Sequence, residues 1–214
     1  LVLAPALLAL GVVQSEEWGL VHAGVWGAIA VGLALFGVYG LWARGRPDAA
    51  LDLSLFDERN FLLATWATFL FGIAFAIMFL SSYLFMIEIW RFSPTHAGMA
   101  LIPGPLMVMP SAILAGRLAG RIGHRPLILA GALLFAAAQL VLMARVTTEP
   151  AYWTVWFPSQ LATGTSIGML ISCLAGAAVA QLPPARFGVG GAVNNAVRQL
   201  GGVVGSAVAV VLVG

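Results

Sequence analysis

An all-α, polytopic transmembrane helical bundle is the fold class this sequence predicts, on three observations. Hydrophobic residues make up 61% of the chain and charged residues only 8%, a balance outside the range of soluble globular domains. The mean hydropathy is +1.01. The apolar residues gather into seven segments, and the arginines gather in alternate connections between them, the pattern of a chain that crosses a bilayer repeatedly.

The same composition excludes other classes. The ten basic residues are all arginine and the net charge is +2, too few and too scattered for a nucleic-acid-binding surface. Cys173 is the single cysteine, which leaves no disulfide framework and no thiol-based zinc site. His22, His96 and His124 fall in separate segments of the chain, so no metal centre or cofactor is expected. No phosphate-binding loop, dinucleotide fingerprint, nucleophile elbow or H-E-x-x-H motif points to an enzyme.

Taken in order, Leu1–Val13 is apolar but lacks the basic flank of a signal peptide, and reads as a helix cut in mid-span. Leu20–Ala43, Phe61–Ile87, Ala97–Leu118, Leu127–Ala144 and Trp153–Leu182 meet or approach the roughly 20 residues, at about 1.5 Å each, that cross the hydrocarbon core. Val189–Gly214 closes the series, ending in the apolar run SAVAVVLVG. The chain is therefore expected to be part of a longer protein, with five complete spans and two partial or terminal ones.

Connections 44–60, 117–126 and 183–188 carry seven arginines, whereas 14–19, 88–96 and 145–152 carry Arg91 and Arg145 together with Glu16, Glu17, Glu88 and Glu149. The basic set is expected on the cytoplasmic side. Trp18, Tyr83, Trp90, Tyr152 and Trp153 then fall near the outer ends and Trp42 and Trp66 near the inner ends, as interfacial aromatic belts do.

Three spans carry more specific features. Pro103, Pro105 and Pro110 each remove a backbone donor from Ala97–Leu118 and predict a bend there. In Trp153–Leu182, the residues Gly164, Gly168, Ser172, Gly176 and Ala180 recur every fourth position, giving a helix face almost free of bulk. That face serves either close helix packing or a surface on which bundles slide. Arg198 lies about ten residues into an apolar helix, where a guanidinium either snorkels to the interface or faces the protein interior. Asn194, Asn195 and Gln199 surround it in sequence, with Asn194 one turn before. Glu88, at the outer end of its span and three residues from Arg91, reads as a hydrated interfacial acid.

The stretch AGRLAGRIGHRP carries Gly116, Arg117, Leu118, Ala119, Arg121, Gly123, His124 and Arg125. It resembles the loop motif G-x-L-A-D-R-x-G-R-[KR] of the major facilitator superfamily. Gly120 stands where that motif carries aspartate, as in degenerate copies found in C-terminal halves, so the motif's charge relay is not complete here. Two further stretches are similar to the fourteen-span drug:proton antiporter branch, the EmrB/QacA-like exporters. PDAALDLSLFDERNF from Pro47 resembles the inner loop before the C-terminal bundle. The pattern N-x-x-R-Q-x-G-G at Asn195, Arg198, Gln199, Gly201 and Gly202 resembles the penultimate helix.

The resemblance implies the major facilitator fold, with residues 1–43 forming two inter-bundle helices, 44–60 a cytoplasmic linker and 61–214 the C-terminal bundle without its last helix. It implies a secondary active transporter in the cell membrane, exporting hydrophobic or cationic small molecules in exchange for protons. An exporter of an endogenous metabolite, or a membrane-embedded structural or enzymatic subunit, is the alternative. The implied partners are a small-molecule substrate, protons, the lipid bilayer and an N-terminal bundle of the same chain. Asn194, Asn195, Arg198 and Gln199 are the residues expected to line or gate the path.

Overall fold

The computed structural model describes residues 53–213, together with Val31. Apart from Val31, the expected helices Leu1–Val13 and Leu20–Ala43 and the linker as far as residue 52 lie outside the described residues. All regular structure among the described residues is helical.

A 3-10 turn at Leu53–Asp57 leads into α1, Arg59–Glu88. Leu55 and Phe61 are fully buried, and Phe56 meets Phe61 edge to face at 5.3 Å, so the end of the linker is packed rather than free. α1 is a 30-residue apolar run without proline or internal charge, about 45 Å long at helical rise. Its end opens into a wide turn, in which the amides of Trp90 and Phe92 reach back to the carbonyls of Phe85 and Met86. Arg91 adopts φ 55°, in the left-handed region, to reverse the chain.

The next span is two helices. α2, Pro94–Leu101, starts with Pro94 at its first turn and is capped by Ser93, whose hydroxyl accepts from the His96 amide at 3.3 Å. α3, Pro103–Ile122, follows after Ile102 alone. The break falls where Pro103 and Pro105, on either side of Gly104, remove two of three successive helical donors. Pro110 lies inside α3 without ending it. The hydroxyl of Ser111 is shared between the carbonyls of Met107 and Val108, at 2.6 and 3.0 Å, supplying polar partners in the turn that the proline loosens.

α4 is His124–Arg145. A π turn at Tyr152–Trp156 feeds α5, Phe157–Val179, and a 3-10 turn at Pro184–Arg186 feeds α6, Phe187–Val213. Four stretches, Arg59–Glu88, Pro94–Ile122, His124–Arg145 and Tyr152–Val179, are each long and apolar enough to cross a membrane. α6 has 27 residues, with its amides and single charge confined to its first half.

The chain divides into two compact units, Leu1–Ile77 with Leu182–Gly214, and Met78–Gln181. In the first, α1 and α6 run side by side and parallel, since Thr68 meets Asn194, Gly72 meets Arg198 and Gly201, and Gly205 meets Ile73 and Ala76. In the second, α5 is the centre, packed on α3 and α4. One end of this unit is closed by aromatic rings. Trp156 is buried against Trp90 and Phe85, with centroids at 5.0 and 6.0 Å, and the group covers Ala97, Ala100 and Leu101 of α2. The Trp90 indole donates to the Thr147 carbonyl at 3.0 Å, and the Tyr152 hydroxyl donates to the Ala100 carbonyl at 3.3 Å, just before the break at Ile102.

Candidate functional site

In a bilayer the hydrophobic effect does not drive helices together, so close approach depends on small residues and buried hydrogen bonds. α6 meets α1 through both. A methyl added at Gly72 would lie 2.5 Å from the Arg198 carbonyl oxygen and 3.2 Å from the Gly201 Cα. Gly201 and Gly205 likewise lie against the carbonyls of Phe69 and Ile73. One turn earlier, the buried Asn194 amide donates to the Thr68 hydroxyl at 3.0 Å, and that hydroxyl donates in turn to the Ala64 carbonyl at 2.8 Å. The Thr65 hydroxyl is also buried and has no partner.

The four residues expected along the path therefore separate into two faces. Asn194 is 3% exposed and committed to α1. Asn195 and Gln199 are uncovered by protein and Arg198 is half-buried, with its Nη2 donating to the Asn195 Oδ1 at 2.8 Å. Gly191 and Gly202, which extend this face in both directions, have open space where a side chain would begin. Sequence spacing placed Asn194 beside Arg198 at i and i+4; the structure gives the guanidinium to Asn195 at i and i+3.

The arginine-rich turn is tighter than its sequence suggested. The expected connection 117–126 contracts to Gly123, whose φ of 83° suits glycine and reverses the chain between α3 and α4. Arg117 and Arg121 stand exposed on the last turns of α3 and Arg125 on the first turn of α4; Gly116 is exposed and faces open space. His124 is held differently, its imidazole lying over Gly176 of α5 where any side chain would displace it.

Gly176 belongs to the small-residue stripe, and the rest of the stripe is equally specific. Gly164 lies on the backbone of Gly104 in α3, and Gly168 lies under the Ser111 hydroxyl and the Val108 carbonyl. Ser172 donates to the Met169 carbonyl at 3.4 Å, beside the buried Cys173. Three features are not legible in the sequence alone: the Thr68 partner of Asn194, the bond from Gln139 to Thr163 at 3.1 Å that joins α4 to α5, and the Trp156 cluster. Threonines three apart in α1, and one amide in an apolar α4, were the available signals. Among the described residues no three His, Cys, Asp or Glu side chains form a metal-binding group.

Repeated apolar spans joined by tight turns, glycine-mediated helix contacts and a polar face on one helix define a multi-pass membrane protein. The chain belongs to the Major Facilitator Superfamily, whose family model matches residues 1–206. It is 36% identical over 141 residues to the puromycin resistance protein pur8 of Streptomyces alboniger, covering 64% of this chain and 27% of that one. It is 28% identical over 202 residues to an uncharacterized MFS-type transporter of Mycobacterium tuberculosis, covering 91% of this chain and 33% of that one. A Klebsiella pneumoniae protein carrying a multidrug resistance name, MdtD, is 32% identical over 145 residues, 67% of this chain and 31% of its own length. The matched chain thus spans a third or less of each of these relatives.

Proposed function

We propose that this chain is the C-terminal part of a fourteen-span, proton-coupled exporter of drugs and other hydrophobic or cationic small molecules, working by alternating access in the cell membrane. In this reading residues 1–43 are inter-bundle helices, 44–60 a cytoplasmic linker and 61–214 a bundle that works against an N-terminal partner bundle. The names of pur8 and MdtD, which refer to drug resistance, support the substrate class. The Asn195, Arg198 and Gln199 face of α6 lines the path, and the Arg117, Arg121 and Arg125 turn lies at the cytoplasmic surface.

The observation that carries this reading is the depth of Arg198. Its carbonyl lies against Gly72, the fourteenth of the thirty residues of α1. A helix of that length centred on a hydrocarbon core of about 30 Å places the level of Gly72 roughly 12 Å inside the nearer boundary. An arginine side chain reaches about half that distance, so snorkelling leaves the guanidinium within the core. There a charge facing lipid costs between about 2.5 and more than 10 kcal/mol. A guanidinium tied to Asn195 on a face uncovered by protein is therefore better explained by a water-filled path than by lipid.

Dye efflux by the full-length protein in inverted vesicles tests this. Arg198→Ala is expected to reduce proton-coupled efflux at unchanged expression, while Glu88→Gln, at an exposed helix end, leaves it near normal. Normal efflux by the Arg198 variant overturns the assignment of this face to the path.

A further inference from the structure

We propose that the turn between α3 and α4 is a binding site for an anionic phospholipid, whose phosphate headgroup is held by Arg117, Arg121 and Arg125 and whose acyl chains lie on the apolar residues beyond them. This goes past the transport reading: it rests on α3 and α4 crossing the bilayer and holds whichever side of the membrane the turn faces.

The fold brings three cations together. Arg117 and Arg121 stand one turn apart at the end of α3, and Arg125 lies on the first turn of α4, just past the reversal at Gly123. All three are exposed. Their backbone is held in place, because the His124 imidazole lies over Gly176, and Ala115 and Ala119 of α3 and Leu127 of α4 are buried in one cluster with Cys173 of α5. A guanidinium offers five N–H donors in a planar fork. Like charges fixed this close repel one another, and a phosphate that accepts from several forks at once offsets that repulsion.

The surroundings of the cations favour a lipid over a free phosphate. Arg121 heads a stripe of α3 that carries Leu114 and Leu118, 65% and 42% exposed, on the same side of the helix. Arg125 heads a stripe of α4 with Leu129 and Leu133, 65% and 70% exposed, one and two turns on. Both stripes run from the turn into the part of each helix that is apolar enough to cross the membrane. α3 and α4 each pack along α5 and have little contact with one another, so each keeps an apolar wall of its own leading away from the shared charge. A diacyl phospholipid has the same layout, an anionic head joined to two apolar chains. The apolar stem of an arginine lies along such a wall while its head reaches the phosphate. Basic pockets between membrane helices bind anionic headgroups, each arginine near the surface adding about fivefold.

The test uses the full-length protein with Ile122→Cys as its single accessible cysteine, labelled with a fluorophore, in phosphatidylcholine vesicles to which brominated lipids are added as contact quenchers. Ile122 is exposed beside the turn and Cys173 is buried. Brominated phosphatidylglycerol is expected to quench at a mole fraction about tenfold to hundredfold below that of brominated phosphatidylcholine, and high salt to shrink the gap. A brominated diphosphatidyl lipid, with two charges, quenches at a lower fraction still. Arg121→Gln narrows the gap about fivefold, and the same change at all three arginines nearly closes it. Arg145→Gln, at the far end of α4, leaves the gap unchanged. Unchanged thermal midpoints show that the variants are folded; if the triple variant does not fold, Arg121→Gln and the salt series decide. Equal quenching by the two lipids in the parent overturns the proposal, as does an equal effect of Arg145→Gln. Displacement of phosphatidylglycerol by inorganic phosphate also overturns it, since the turn would then be a site for a free anion. A label reached by neither lipid shows the turn covered by another part of the full chain, and the proposal falls. None of these outcomes is read from efflux, so the transport reading and this one fail separately.

Discussion

Gly201→Ala and Gly202→Ala are adjacent changes in one helix with the same gain in helix propensity, about 1 kcal/mol each. Their surroundings differ. A methyl at Gly201 meets the Phe69 carbonyl oxygen and lies 3.2 Å from both the Gly72 Cα and the Ile73 amide nitrogen, all of them backbone atoms of α1. Carbon contacts are comfortable at about 3.5–4.0 Å, so the two helices must separate by several tenths of an ångström, with no flexible side chain to absorb the shift. Overpacking of this kind costs about 1–3 kcal/mol. Separation also stretches the Thr68–Asn194 bond about two turns back along α6, and bonds of this kind in membranes contribute about 0.6 kcal/mol on average. A methyl at Gly202 meets nothing within 4 Å. Because propensity cancels between the variants, the difference between them isolates the helix contact at about 1–3 kcal/mol. Unfolding of the full-length protein in micelles, followed by tryptophan fluorescence, should rank Gly202→Ala at or above the parent and Gly201→Ala below it. Equal midpoints for the two variants would refute the parallel packing of α6 on α1.

Other outcomes follow from the same structure. A double-mutant cycle of Thr68→Val and Asn194→Leu should give a coupling of about 0.6 kcal/mol, at most about 1.7, with each single change worse than the pair would suggest. Trp156→Ala should destabilise by about 3–5 kcal/mol, whereas Trp156→Phe should cost far less, because the buried indole N–H it removes has no partner; equal losses in chemical unfolding would contradict this. A cysteine at Thr148 should react with an impermeant thiol reagent in intact cells while one at His124 is shielded, and the reverse pattern would invert the proposed topology.

How much of this was legible in the sequence depended on the range of the interaction. Helix positions came from continuous apolar runs, and the expected spans match α1, α2 with α3, α4, α5 and α6 to within a few residues at most ends. The proline-rich stretch announced a bend, but three prolines had equal claim. Only the structure shows that Pro103 and Pro105 break the helix at Ile102, while Pro110 is carried through beside the Ser111 hydroxyl. Asn194 and Asn195 both fall within one turn of Arg198, and the two side chains differ by about 100° around the helix. Which one faces α1 is decided by Thr68, 126 residues away, and no local periodicity encodes that partner. The Trp156 cluster was hidden for the same reason, since its rings come from two stretches far apart in the chain, 83–92 and 152–156.

The small-residue stripe of α5 left open whether it is a packed contact or a sliding surface, and the geometry of its neighbours bears on the choice. A surface on which helices translate has to be smooth along the direction of travel. The stripe is pegged instead. Ser111 projects over Gly168, the Gly104 backbone sits on Gly164, and the His124 imidazole covers Gly176, so a shift of even one residue along α5 drives each into a side chain or a carbonyl. Each peg comes from a different turn of α3 or from the start of α4, and all must lift together for the helices to move past one another. Packed interfaces of this kind hold one register rather than deforming continuously. Motion in the transport cycle is therefore expected to leave α3, α4 and α5 fixed on one another. A disulfide between cysteines introduced at facing positions of α3 and α5 should then form in every state and leave efflux intact; efflux abolished by that bond and restored by reduction would show that the stripe slides after all.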